Sequence, residues 1–115
     1  MAEHNLAQYA LSADFADAST AEIIFVPVPF DGNLVLVQTA LEGAIATADC
    51  VMAVGAGTVD VGDVTVAYTS SAAGDVDSLV CSSYVSQGDY IQLNKAGAST
   101  NTVGLHVTLV IDRRY

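Results

Sequence analysis

From residue 22 onward, hydrophobic and polar positions along the chain follow a period of two, broken at intervals by glycine, aspartate, serine and asparagine. The segment Glu22 to Phe30 is apolar on both faces and holds Pro27 and Pro29, which donate no ladder hydrogen bond, so it is expected to be an edge or bulged strand. Asp31-Gly32-Asn33 reads as a turn into a strand over Leu34 to Leu41, and the two segments read as a hairpin. A third strand is expected over Asp49 to Val54, followed by a turn at Gly55-Ala56-Gly57 and a short strand from Val59 to Val61. After Gly62-Asp63 the alternation is clearest, with Val64, Val66 and Tyr68 facing in and Thr65, Ala67 and Thr69 facing out. Further strands are expected around Leu79 and Cys81, over Tyr90 to Asn94 with Ile91 and Leu93 on one face, and, after a polar loop from Lys95 to Asn101, over Val103 to Asp112. In the last, Leu105, Val107, Leu109 and Ile111 share one face, and His106, Thr108 and Asp112 the other.

Short strands at such spacing, with no long amphipathic helix between them, predict an all-β fold: an antiparallel β-sandwich or jelly roll of seven to eight strands. The first 20 residues differ. They lack valine, are rich in alanine, and place Leu6, Tyr9, Ala10 and Ala13 at helical spacing. An N-terminal arm or short helix over residues 1–20 is therefore expected, docked on a single β-sandwich domain over residues 21–115 that folds without it.

Composition narrows what such a domain does. Of its 115 residues 52% are hydrophobic and 14% charged, so few charges are left to cover the surface of a monomer. Self-association is the expectation, as a homo-oligomer and with a trimer favoured over a dimer. Thirteen carboxylates face three bases, Lys95, Arg113 and Arg114, for a formal net charge of −10. A chain with no base before Lys95 has nothing with which to neutralise a row of phosphates, which argues against nucleic acid or an anionic membrane as partner. The longest strongly apolar run, Ile23 to Phe30, has eight residues and two prolines, short of the roughly 20 a membrane helix requires. The opening Met1-Ala2-Glu3-His4-Asn5 lacks the basic region of a secretory signal, which leads to the expectation of synthesis in the cytoplasm.

Catalytic chemistry finds little to build on, and the chain is not expected to be an enzyme. The histidines are His4, in the arm, and His106, on the polar face of its strand, and no Gly-x-Ser-x-Gly elbow supplies a nucleophile. Asp75 and Asp77 share a face if extended, but paired acids are common in a chain this acidic. Asp60, Asp63, Asp75, Asp77 and Asp89 gather near turns without the spacing of an EF-hand, so no metal site is expected. Gly55-x-Gly57 runs into a strand and not a helix, which excludes a nucleotide fingerprint, and no cofactor is implied. Cys50 and Cys81 have neither zinc nor redox spacing. They read as reduced, buried apolar side chains, with a disulfide between neighbouring strands as the alternative.

The order of several short stretches resembles that of small tailed-phage virion proteins, the capsid decoration or head structural proteins. These stretches are Val26-Pro27-Val28-Pro29-Phe30-Asp31-Gly32 leading into Leu34 to Gln38, Ser70-Ser71-Ala72-Ala73-Gly74-Asp75-Val76, Val85-x-x-Gly88-Asp89-x-Ile91, Gly97-Ala98-Ser99-Thr100, and Val107-x-Leu109-x-Ile111-Asp112-Arg113. The resemblance implies a β-sandwich that oligomerises, commonly as a trimer, on the outside of a capsid whose major capsid protein forms the shell. It implies a cement-like structural role and a location in the virion. The low basic content and the alanine-rich arm depart from that pattern. Residues expected to touch the shell or a neighbouring subunit are Leu6, Tyr9 and Phe15 in the arm, Phe25 in the first strand, and Arg113, Arg114 and Tyr115 at the C-terminus. The competing readings are a phage fibre tip or adhesin that binds host glycan or receptor, and a β interaction module outside any virion.

Overall fold

A computed structural model of the chain describes residues 7–113. Eight strands run in the order β1 (Ala7–Phe15), β2 (Glu22–Pro27), β3 (Gly32–Leu41), β4 (Cys50–Ala56), β5 (Val59–Val66), β6 (Val76–Val85), β7 (Tyr90–Lys95) and β8 (Leu105–Arg113). They form two four-stranded antiparallel sheets, β1-β8-β3-β6 and β2-β7-β4-β5, and the expected all-β sandwich is what the chain adopts. The core is the inward half of each alternation. Leu34, Val37, Leu105, Leu109 and Ile111 from the first sheet meet Val26, Met52, Val54, Val64, Ile91 and Leu93 from the second. Each such side chain contributes about 1.5–3 kcal/mol of transfer free energy when fully buried, as an upper estimate.

The N-terminal segment departs from expectation. Residues 7–15 are not helical: β1 pairs along its whole length with β8, from Ala7 opposite Arg113 to Phe15 opposite Leu105. Its residues fit both periods, since Tyr9, Leu11, Ala13 and Phe15 also alternate with Gln8, Ala10, Ser12 and Asp14. Pairing with an already apolar β8 selects the period of two over the helix propensity of alanine. Phe15 and Ala18 belong to the core, so the body does not pack independently of this segment. Leu6 and the remaining arm residues before it lie outside the described residues.

The turn after β1 is held from both sides. The Asp17 carboxylate accepts hydrogen bonds from the Ser19 backbone N–H at 2.8 Å and the Thr20 hydroxyl at 3.0 Å. Lys95, expected in a polar loop, is instead fully buried at the end of β7, where its Nζ donates to the Thr20 carbonyl and lies 5.3 Å from the centre of the Phe15 ring. One of the chain's three bases is thus an internal brace.

Two other expectations are corrected. The segments before and after Asp31-Gly32-Asn33 form no hairpin, because β2 pairs with β7 while β3 pairs with β6 and β8. Val28 is tied to the turn between β6 and β7 by bonds from its N–H to the Asp89 carbonyl and from the Gly88 N–H to its own carbonyl. The chain then crosses between sheets with Val28 and Phe30 buried. Gly32 permits the close entry of β3, since a Cβ there would sit 2.4 Å from the Asp112 carbonyl oxygen. Beyond Gly57, the two short strands expected on either side of Gly62-Asp63 are one strand, β5. Gly62 absorbs the irregularity with a φ of 146°, next to a register shift between Val54 and Gly55. Tyr68 falls past the end of β5 and is exposed, whereas Val64 and Val66 face in as expected.

Candidate functional site

The residues expected to make contacts are distributed over three places. Phe15 is 1% exposed and therefore presents nothing to a partner. Tyr9 and Arg113 come together at the outer end of the β1–β8 pair, where Tyr9 tilts against Phe30 at 5.0 Å between ring centres and the Arg113 guanidinium lies 5.2 Å from the Phe30 ring and 5.9 Å from the Tyr9 ring. Phe25 lies on the opposite sheet and is 57% exposed. Leu6, Arg114 and Tyr115 are outside the described residues.

Phe25 belongs to the most developed surface of the molecule, the outer face of the β2-β7-β4-β5 sheet. The registers align side chains in rows across the strands. One row runs Ile23, Asn94, Ala53, Asp63, and the next runs Phe25, Gln92, Gly55, Asp60. Ile23, Phe25 and Tyr90 are exposed, and the Tyr90 ring meets Phe25 edge-on at 5.2 Å and 82°. β4 offers only Ala53 and Gly55 on this side, and Gly57 follows in the turn, so the sheet sinks into a depression of about 280 Å³. Tyr90, Gln92 and Asn94 line one side of it, and Thr58, Val59 and Asp60 the other. The turn is anchored by the Gly57 N–H, which donates to the Tyr90 carbonyl, and Gly57 has a φ of 61°.

The side chains of this surface are of few kinds. It combines an aromatic pair, two amides that both donate and accept, and a carboxylate, with no histidine or cysteine beside them. The alternation of Tyr90, Gln92 and Asn94 with Ile91 and Leu93 had already placed the first three on one face. The depression itself could be traced in sequence only in the small residues at 53, 55 and 57, every second position.

Elsewhere, three titratable groups gather, centred on His106. His106 projects from β8 between two carboxylates, Nδ1 against Asp14 of β1 and Nε2 at 3.0 Å from Glu42, just past β3. Glu42 lies over Gly104, where a Cβ would clash with its carboxylate, and the Glu42 N–H donates to the Gly104 carbonyl. The hydrogen bond to Asp14 is the largest cause of a His106 pKa raised above its ordinary value; desolvation opposes it, and the charges of Asp14 and Glu42 add to the rise. Asp77, one of the paired acids at 75 and 77, has its carboxyl raised by burial first and then by Asp75 and Asp49. The Asp17 carboxyl is lowered, chiefly by its hydrogen bonds from Ser19. Among the described residues no group of three His, Cys, Asp or Glu is arranged to hold a metal ion. Cys50 and Cys81 are free thiols, both raised by burial; Cys81 donates to the Leu34 carbonyl at 3.5 Å.

No protein-family model matches the chain, and no curated protein matches its sequence. Solved structures do share the fold. A chain of the acidic stable capsid of Helicobacter pylori bacteriophage KHP30 superposes with a TM-score of 0.64 at 15% identity, over 96% of this chain and 90% of that one. A chain of the cyanophage Pam1 capsid asymmetric unit gives 0.50 at 13% identity, over 96% and 86%. A chain of the disulfide-linked pili of Bacillus endospore appendages gives 0.50 at 17% identity, over 99% and 93%. The sandwich is therefore a fold found in chains of phage capsids and of a pilus.

Proposed function

We propose that this chain is a non-enzymatic structural protein of a phage virion, one that binds the outside of the capsid as an oligomer and stabilises it. The observation that carries the reading is the likeness of the whole sandwich, over 96% of its length, to chains of two phage capsids, together with the sequence resemblance to decoration proteins. The surface agrees with this role. An acidic exterior with a formal charge of −10 repels packaged DNA, while Ile23, Phe25 and Tyr90 supply exposed apolar area for a protein partner. A trimer is the favoured oligomer, and the major capsid protein shell is the partner. Several copies engaged at once convert weak contacts into high avidity.

A second reading is favoured by one observation. Aromatic rings beside amides and a carboxylate, around a shallow depression, are also what a glycan-binding fibre tip or adhesin presents. One experiment separates the two. Purified protein is mixed with expanded shells that lack it, and with host cells and polysaccharide, and each is sedimented at low and high salt. Decoration predicts recovery with shells, and salt that slows association more than it hastens release. Recovery on cells or polysaccharide with none on shells at either salt replaces decoration with the adhesin reading.

A further inference from the structure

Four strands end the two sheets, and each carries some feature that discourages pairing with another chain. β2 has Glu22 and Pro27; β5 has Asp60 and Asp63 around the irregular Gly62; β1 has Asp14, engaged with His106. β6 differs. From Ser78 to Val85 it holds no charge and no proline, and its outward side chains include Val80 at 81%, Tyr84 at 63% and Val76 at 60% exposure. Its own irregularities are Asp77 near the start and one extra residue between Val80 and Ser83, opposite Leu34–Leu36, yet exposed and half-buried positions alternate without interruption from Val76 to Tyr84.

We propose that β6 is a contact between two copies of this chain, pairing antiparallel with the β6 of a second copy about a two-fold axis at Val80. The strand is complementary to itself. Outward positions read Val76, Ser78, Val80, Ser82, Tyr84, so a two-fold at the centre sets Val80 against Val80, each Ser78 against Ser82, and each Val76 against Tyr84. On the other side of the strand Leu79 meets Cys81, and Asp77 meets the Ser83 hydroxyl and not a second carboxylate. Moving the axis one residue to Leu79 puts Val76 opposite Ser82 and Val80 opposite Ser78, apolar against polar, and moving it two residues to Ser78 or Ser82 leaves two of the five outward positions without a partner in the strand, so matching over the whole strand favours the axis at Val80. Charge is compatible with the contact: Ser78 to Val85 carries none, and the pairing leaves the Asp77 of each copy at opposite ends, far from the other. Such a contact makes a dimer on its own and links neighbouring rings where the chain also closes a ring. It rests on the chemistry of β6 and not on the virion reading.

The test is thiol cross-linking of the full chain. In a Cys81→Ser background Cys50 is fully buried, and Val80→Cys supplies the reactive thiol. Oxidation or a short bismaleimide is expected to convert most of the protein to a covalent dimer, while the control Val59→Cys on β5, also an exposed edge position, stays monomeric. Val80→Lys, at a position open to solvent within one chain, is expected to lower the mass by light scattering with unchanged circular dichroism. The proposal is overturned if Val80→Cys dimerises no more than Val59→Cys while folded. It is equally overturned if dimers require Ala10→Cys and Val80→Cys together, since that would mean head-to-tail pairing of β6 with β1.

Discussion

The outer faces of the two sheets are built from the same alternation and yet are organised in perpendicular directions. On the β1-β8-β3-β6 sheet character changes along the strands. An apolar row of Ala10, Val110, Leu36 and Val80 crosses all four strands, beside a polar row of Ser12, Thr108, Gln38 and Ser78, and then Asp14, His106, Ala40 and Val76. On the β2-β7-β4-β5 sheet character changes across the strands, from Ile23 and Phe25 on β2, through the amides of β7 and the small residues of β4, to Asp60 and Asp63 on β5. The first face holds itself together through cross-strand pairs. The second sets the exposed rings of Phe25 and Tyr90 against each other beside a floor of small residues, Ala53 and Gly55, and leaves that apolar area open.

Phenylalanine substitutions test that difference most sharply. Phe15→Ala removes a ring that is 1% exposed, lies inside the first sheet and sits under Lys95, so it is expected to cost about 3–5 kcal/mol in denaturant unfolding. If the cost were below about 1 kcal/mol, β1 would be an arm laid on the body after all.

The first face is also expected to respond to pH. His106 has a raised pKa through Asp14 and Glu42, so the stabilisation is complete below the ordinary value of 6.5 and is lost as pH rises through the raised value. Melting temperature measured from about pH 6 to about pH 9 should fall in wild type, and His106→Gln should flatten that part of the profile. An unchanged slope in the variant would remove the cluster from the account of this face.

The smallest effect on stability is expected for the second face. Phe25→Ala loses an exposed edge-to-face contact with Tyr90 and should cost no more than about 1 kcal/mol, while reducing sedimentation with expanded shells several-fold. Full shell binding by a folded Phe25→Ala protein would move the contact away from the β2-β7-β4-β5 face.

These contrasts were only partly legible beforehand. The inward set of β8 (Leu105, Val107, Leu109 and Ile111) and the shared face of Tyr90, Gln92 and Asn94 follow from side-chain alternation alone. Phe15 was misread as a contact because alanines around it fit a helix as well as a strand, and only the presence of β8 beside it distinguishes the two. Lys95 was misread because a lysine next to Ala-Gly-Ala-Ser has the composition of a loop; nothing local announces that the Thr20 carbonyl and the Phe15 ring will close over it.

By itself the sequence determined that the chain is all-β, roughly where the strands from residue 22 onward lie, which side of most of them faces the core, and that the surface is acidic and short of bases. Those properties depend on neighbours within a few residues, where the pleat and the turn chemistry act. The tertiary structure alone decided that β2 and β3 belong to different sheets, that residues 7–15 complete one of them, and that Tyr90, with Phe25 against it, borders a depression floored by Ala53 and Gly55. Partner choice among strands is a property of the whole packed core: any apolar edge satisfies a strand's alternation, and only the simultaneous burial of all eight selects one arrangement.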